Sequence, residues 1–186
     1  MSIEAPSSAG LQLELGDAHE WKSDTATWGA TGFGHGGMAV FSDAVYTSVN
    51  GELWRIPINP DGSAGATAKV ALVNGAGAPV ASGSFAADGM TTDGTNIYYD
   101  DNDAQNPAAV GVTYKVALDV GGARGTRTEL ATGLDDPSGL ALYKGASSSH
   151  LLVNVSQFGK LLASGFDAPA TEAKIDKITV KVVTLK

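Results

Sequence analysis

The residues best equipped for chemistry fall into three small groups. Asp88, in Asp88-Gly89-Met90, and His35, in His35-Gly36-Gly37, each stand where a glycine-rich connection runs into a β-type stretch. A carboxylate and an imidazole at the same end of neighbouring strands can share a divalent cation such as Zn2+, or work as an acid/base pair without one. Asp100-Asp101-Asn102-Asp103 packs four oxygen-bearing side chains into consecutive positions, expected as a loop after a strand. Clustered carboxylates repel unless neutralised, so Asp100, Asp101 and Asp103 are candidate Ca2+ ligands, although the spacing is not that of an EF-hand. Trp21 and Trp28, in polar surroundings, offer ring faces to a sugar, whereas Trp54 suits packing between sheets.

Each group also has a plainer reading. Asp88 can cap its own turn through nearby backbone N–H groups, His35 can sit solvated among glycines, and 100–103 can be a solvated acidic loop. Nucleophilic catalysis finds little support: cysteine is absent, there is no G-x-S-x-G elbow, and Ser147-Ser148-Ser149-His150 reads as a polar turn. Asn154-Val155-Ser156 matches a glycosylation acceptor but falls inside an expected strand.

The elements that would position these residues are short strands. Gly37 to Tyr46, Gly89 to Tyr98 and Gly139 to Asn154 are related, and their glycines stand 52 (89 − 37) and 50 (139 − 89) residues apart. A recurrence of that length built from strands is a propeller-blade signature. The first repeat turns at Asn50-Gly51 between two β-rich runs, a strong hairpin signal. It continues through Glu52 to Ile58, turns at Asn59 to Ser63, and takes Ala68 to Val73 as its fourth strand. The second has its tight turn at Asp93 to Asn96, its third strand over Gly111 to Leu118 and its fourth over Arg127 to Ala131, followed by a turn at Thr132 to Pro137. The third runs through Leu151 to Ser156 and Gly159 to Ala163, and Ile175 to Leu185 alternates apolar and polar residues to the end. Leu11 to Leu15 is one further half-buried strand, and 1–10 is a loose lead-in to a single domain over 11–186, with blade-like repeats at about 35–79, 88–134 and 138–186. Nowhere does a 3.6-residue period persist for three turns.

The bulk numbers agree with this. The 186 residues fit one domain, and 24 glycines are nearly twice the usual ~7%, as many tight turns require. The formal charge is −8, with 12 Lys+Arg against 20 Asp+Glu, which disfavours nucleic acid and anionic membrane surfaces as partners. No apolar run is long enough to span a bilayer as a helix, and the first residues lack a signal-peptide pattern. A cytoplasmic protein and a secreted one already stripped of its signal peptide both fit.

With the repeats in view, the chain resembles the six-bladed propellers of the gluconolactonase, senescence-marker-protein and strictosidine-synthase-like superfamily. Asp88-Gly89-Met90-Thr91-Thr92-Asp93-Gly94-Thr95-Asn96-Ile97-Tyr98 is similar to that group's blade opening, and Leu53-Trp54-Arg55-Ile56 and Thr113-Tyr114-Lys115-Val116 to its third-strand motif. The likeness covers about 35–165 and lies in blade grammar. It implies a six-bladed ring and, in lactonase members, a divalent metal on the ring axis held in part by the Asp of an Asp-Gly opening. Asp88 matches that Asp; the corresponding places in the other repeats hold His35-Gly36 and Pro137-Ser138.

The expectation is therefore an all-β, propeller-type chain of about three four-stranded blades. Closed propellers need at least about four blades, so a homodimer would complete a ring of six and remove the open edges. A piece of a longer protein, or a sandwich or barrel, are the other readings. In a ring dimer the C-terminal strand would pair with Leu11 to Leu15. Functionally the chain reads first as a non-enzymatic module binding a small ligand, carbohydrate or protein at the channel mouth, through Trp21, Trp28, His35 and Asp88. The alternative is a metal-assisted lactone or ester hydrolase with Asp88 and His35 as ligands.

Overall fold

The computed structural model describes residues 20–22, 28, 35–101, 111–156 and 179–185. The chain is all-β. Sheet 1 holds β1 (His35–Phe41), β2 (Ala44–Val49), β3 (Glu52–Pro57) and β4 (Ala68–Lys69) in that order. Sheet 2 is the run β6 (Ala87–Thr92), β7 (Asn96–Asp101), β8 (Gly111–Leu118) and β9 (Arg124–Leu134), with β5 (Ala71–Asn74) added beside β9. Sheet 3 holds β10 (Pro137–Lys144), β11 (Ser149–Val155) and β12 (Thr179–Leu185).

Each sheet begins as an antiparallel meander because its turns are short and correctly furnished. Asn50 and Gly51 have φ of 56° and 70°, the left-handed pair that a two-residue hairpin needs to match strand twist. At the β6–β7 turn Asp93 Oδ1 accepts the N–H groups of Thr95 and Asn96, both at 2.7 Å.

Sheet 2 lies between the other two, and β7 explains how. Ile97 and Tyr99 point to one face and join Tyr46, Leu53, Phe85 and Val116 in the core shared with sheet 1. Tyr98 points to the other and joins Leu134, Leu151, Val153 and Val155 in the core shared with sheet 3. A strand's two-residue period thus feeds two cores from one segment, and all three residues are at most 2% exposed. Phe85, Tyr99 and Tyr114 stack in series, with centroids 4.1 and 5.0 Å apart, and the Arg127 guanidinium lies 4.6 Å over the Tyr114 ring.

The first strands of the three sheets run side by side at one level. A Cβ on Gly37 would fall 2.8 Å from the Gly89 carbonyl carbon, and one on Gly89 would fall 2.7 Å from Gly139 Cα. Only glycine lets these backbones approach so closely. At Gly139 the nearest described atom to such a Cβ is Asn154 Cβ, at 4.0 Å.

Several expectations need correction. Ala68 to Val73 is not one strand. It divides at Val70, which is 2% exposed, and the chain passes from the edge of sheet 1 to the edge of sheet 2. The Val70 N–H still binds the Leu53 carbonyl, whereas the next N–H, of Ala71, binds the Ala123 carbonyl, and β5 then pairs parallel with β9. The handover leaves Val70 buried in the core between the two sheets. The fourth strand of the second repeat is longer than expected: β9 absorbs Thr132-Gly133-Leu134, since Leu134 stays paired with Gly111 past irregularities in the register. Asp100 and Asp101 belong to β7 rather than to a loop, because their backbones pair with Thr113 and Val112 of β8. The C-terminal strand lies against β11, and the proposed pairing with Leu11 to Leu15, like the strand at Gly159 to Ala163, falls outside the described residues. Among the described residues the three sheets close neither a barrel nor a ring.

Candidate functional site

The matched level of the three first strands gathers the sequence candidates at one end. His35 opens β1 and pairs with Val49; only its backbone is described. A Cβ on the adjacent Gly36 would collide with the Ala87 carbonyl oxygen, so the His35 and Asp88 backbones are close neighbours. Both residues lie inside their strands, rather than one or two positions before them. Asp88 is exposed, at a break in the β6–β7 register between Ala87 and Met90.

Asp100 sits beneath this end and is fully buried. Its Oδ1 accepts the Gly89 N–H at 2.5 Å, and the Gly139 backbone lies near enough to favour the charged carboxylate. One side chain from β7 is therefore bonded to the first strand of sheet 2 and faces that of sheet 3. Its Oδ2 and the hydroxyl of Thr113, its cross-strand neighbour, are buried with no hydrogen-bond partner among the described residues. Burial is the main reason the Asp100 carboxyl is pushed up to about 6; the Gly89 N–H and the Gly139 backbone pull it down, and the nearby Asp88 charge pushes it further up. This placement differs from the solvated acidic loop expected of 100–103. Asp101 is half-buried, and Asn102 and Asp103 lie outside the described residues. Among the described residues no three or more His, Asp or Glu side chains converge as a metal group.

Trp21 and Trp28 stand at opposite ends of sheet 1. Trp21 donates its indole N–H to the Gly62 carbonyl at 2.8 Å, and the Trp28 carbonyl accepts the Asn50 side-chain N–H at 2.5 Å. The Gly62 turn lies at the end away from His35, whereas Asn50 follows Val49, the residue paired with His35, so Trp28 stands at the His35 end. Trp54 is half-buried and donates to the Val49 carbonyl at 3.2 Å. Asn154 is inside β11 with its amide donating to Ser138 Oγ at 3.3 Å, in keeping with discounting it as a glycan acceptor.

The opposite end of the molecule holds a site that sequence reasoning passed over. A cleft of about 660 Å³ opens between sheets 2 and 3, lined by Asp93, Tyr98, Lys115, the Ser147-Ser148-Ser149 turn and Thr184 among others. Asp93 is saturated: beyond its two backbone donors, its Oδ2 accepts the Tyr98 hydroxyl at 2.7 Å and the Asn96 amide at 3.2 Å. Partial burial pushes its carboxyl up, but these hydrogen bonds outweigh that and hold it below the usual range. Burial and the adjacent Asp93 charge both raise the Tyr98 phenol. On the far wall Ser148 Oγ lies 2.8 Å from His150 Nε2, and Thr184 Oγ1 lies 3.3 Å from Nδ1. The turn read as merely polar thus carries an ordered hydroxyl–imidazole chain. Only the alternation of Tyr98 and Lys115 onto one face of paired strands hinted at this cleft. Compared with known proteins, the chain matches no family model, and no curated protein matches it significantly.

Proposed function

We propose that the three sheets are successive blades of a propeller-type ring, that a second copy completes it to six, and that the protein is a non-enzymatic binding module. Its ligand, a small molecule, carbohydrate or protein, would meet the end where His35 and Asp88 stand. The observation that carries this reading is the glycine series. Gly37 admits β6 and Gly89 admits β10, while Gly139 keeps the same opening toward the free side of sheet 3. The two free flanks carry exposed apolar residues: Met38 and Val40, in β1, are 64% and 58% exposed on one, and Tyr143, in β10, and Val182, in the outer strand β12, 57% and 61% on the other. Farther out on the sheet 1 flank Val49 and Ile56 are buried, so the open part is the part nearest the ring axis. The resemblance to six-bladed propellers points the same way.

Sedimentation equilibrium at micromolar concentration tests it. The expected mass is twice the 18.8 kDa chain. Gly139→Leu is expected to give a monomer that still melts cooperatively, since among the described residues the nearest atom to its added Cβ is Asn154 Cβ, at 4.0 Å. A wild-type monomer that melts cooperatively removes the ring dimer. Stoichiometric divalent metal that is lost on Asp88→Ala would replace the binding module with the metal-assisted hydrolase.

A further inference from the structure

The cleft between sheets 2 and 3 combines an uncommitted cation with a wall of hydroxyls. Lys115 is half-buried in it and, among the described residues, makes no ion pair or side-chain hydrogen bond. That is unexpected in a chain with 20 acidic residues against 12 basic ones, where a lysine has carboxylates in surplus. The one carboxylate in the described lining, Asp93, has both oxygens filled by N–H and O–H donors and cannot also serve Lys115 well. Lys144 adds a second positive charge at the rim, its Nζ 3.0 Å from the Asp93 carbonyl oxygen. A solvated lysine on an open surface needs no counter-ion. One drawn into a concave site with its neighbours already satisfied presents an unspent charge to whatever enters.

We infer that this cleft binds a small hydroxylated monocarboxylate, its carboxylate on Lys115 and its hydroxyls on the Ser147–Ser149 turn. The cleft leaves ample room for a ligand of that class. Hydroxyls suit the wall because serine and threonine both donate and accept, so a polyol can satisfy them in several ways. Leu130 and Leu185 in the lining give the carbon chain an apolar floor. The site lies within one chain and at the end opposite Asp88, so it stands or falls independently of ring completion.

The test uses the whole chain, ¹⁵N-labelled, with L-threonate as probe and threitol as the neutral molecule differing only in having CH2OH for the carboxylate. Threonate is expected to shift the amide resonances of Ser147, Ser148 and Ser149, and threitol to bind at least tenfold more weakly. Lys115→Met should abolish the threonate shifts while leaving the rest of the spectrum in place, and Lys115→Arg should retain them at reduced affinity. Equal binding of threitol, binding unchanged in Lys115→Met, or shifts confined to other parts of the chain would each overturn the assignment. Inorganic phosphate is the third arm: if it binds as tightly as threonate, the site is a plain anion site and the hydroxylated-carboxylate claim fails.

Discussion

Asp100 is the residue at which chemistry and architecture conflict most openly. Its carboxyl accepts the Gly89 N–H beside the first strand of sheet 3, yet burial disfavours the charge that makes it a good acceptor. The linkage has a definite sign. Below the unfolded value of about 3.9 the group is protonated in both states and contributes nothing to pH dependence. Between that value and about 6 the folded form holds the proton and the unfolded form does not, so stability falls as pH rises; above about 6 the penalty is complete. A rise from 3.8 to about 6 corresponds to roughly 3 kcal/mol. Glu52 and Asp93, both held below the usual range, act in the opposite sense and lose their contribution as the solution turns acid. The difference between the wild type and Asp100→Asn isolates the one residue, since the amide oxygen can still accept the Gly89 N–H. Urea titrations from pH 4 to 7 should show the variant gaining on the wild type as pH rises, to about 3 kcal/mol at neutrality. A constant difference across that range would mean that the carboxyl does not titrate there. Residue types alone could not reveal this role. Four acidic or amide side chains in a row look like a loop, and what buries Asp100 is a sheet whose first strand starts 37 residues further on.

At the scale of elements, the handover at Val70 couples sheets 1 and 2 through the chain itself. Val70 is enclosed on both sides, so Val70→Ala leaves a cavity between sheets and is expected to destabilise by about 2 kcal/mol, the order found for buried aliphatic truncations. If the handover is as described, hydrogen exchange should quicken in this variant at two separated places, the Ala68–Lys69 edge of β3 and the β5–β9 pairing. Faster exchange at β3 alone would mean that the parallel pairing does not depend on Val70. The sequence disclosed elements bounded by turns with their own chemistry: Asn50-Gly51, Asp93 to Asn96, and β8, found over Gly111–Leu118 as expected. It concealed the places where two sheets compete for one run. Ala68 to Val73 has a single β-type composition, and only the positions of the Leu53 and Ala123 carbonyls decide where it divides. The Lys115 cleft was hidden for the same reason, since its walls come from strands of two sheets.

For the whole molecule, what was legible was the recurrence and little of its use. Among the described residues three meanders stand with their first strands abreast, and they close neither a barrel nor a propeller ring. The recurrence says nothing about what binds, because Asp88 and Lys115 owe their surroundings to parts of the chain far from them in sequence.

The shared run through Val70 also makes the two junctions mechanically unequal. Sheets 1 and 2 are stitched by a continuous backbone that hydrogen-bonds to both, whereas among the described residues sheet 3 is held to sheet 2 by side-chain packing and the Lys144 Nζ bond to the Asp93 carbonyl. Pulled by its termini in an optical trap, a single chain should yield first by releasing sheet 3 and only later, at higher force, by opening sheets 1 and 2 together. The reverse order, or one undivided rip, would show that the stitch carries no tension.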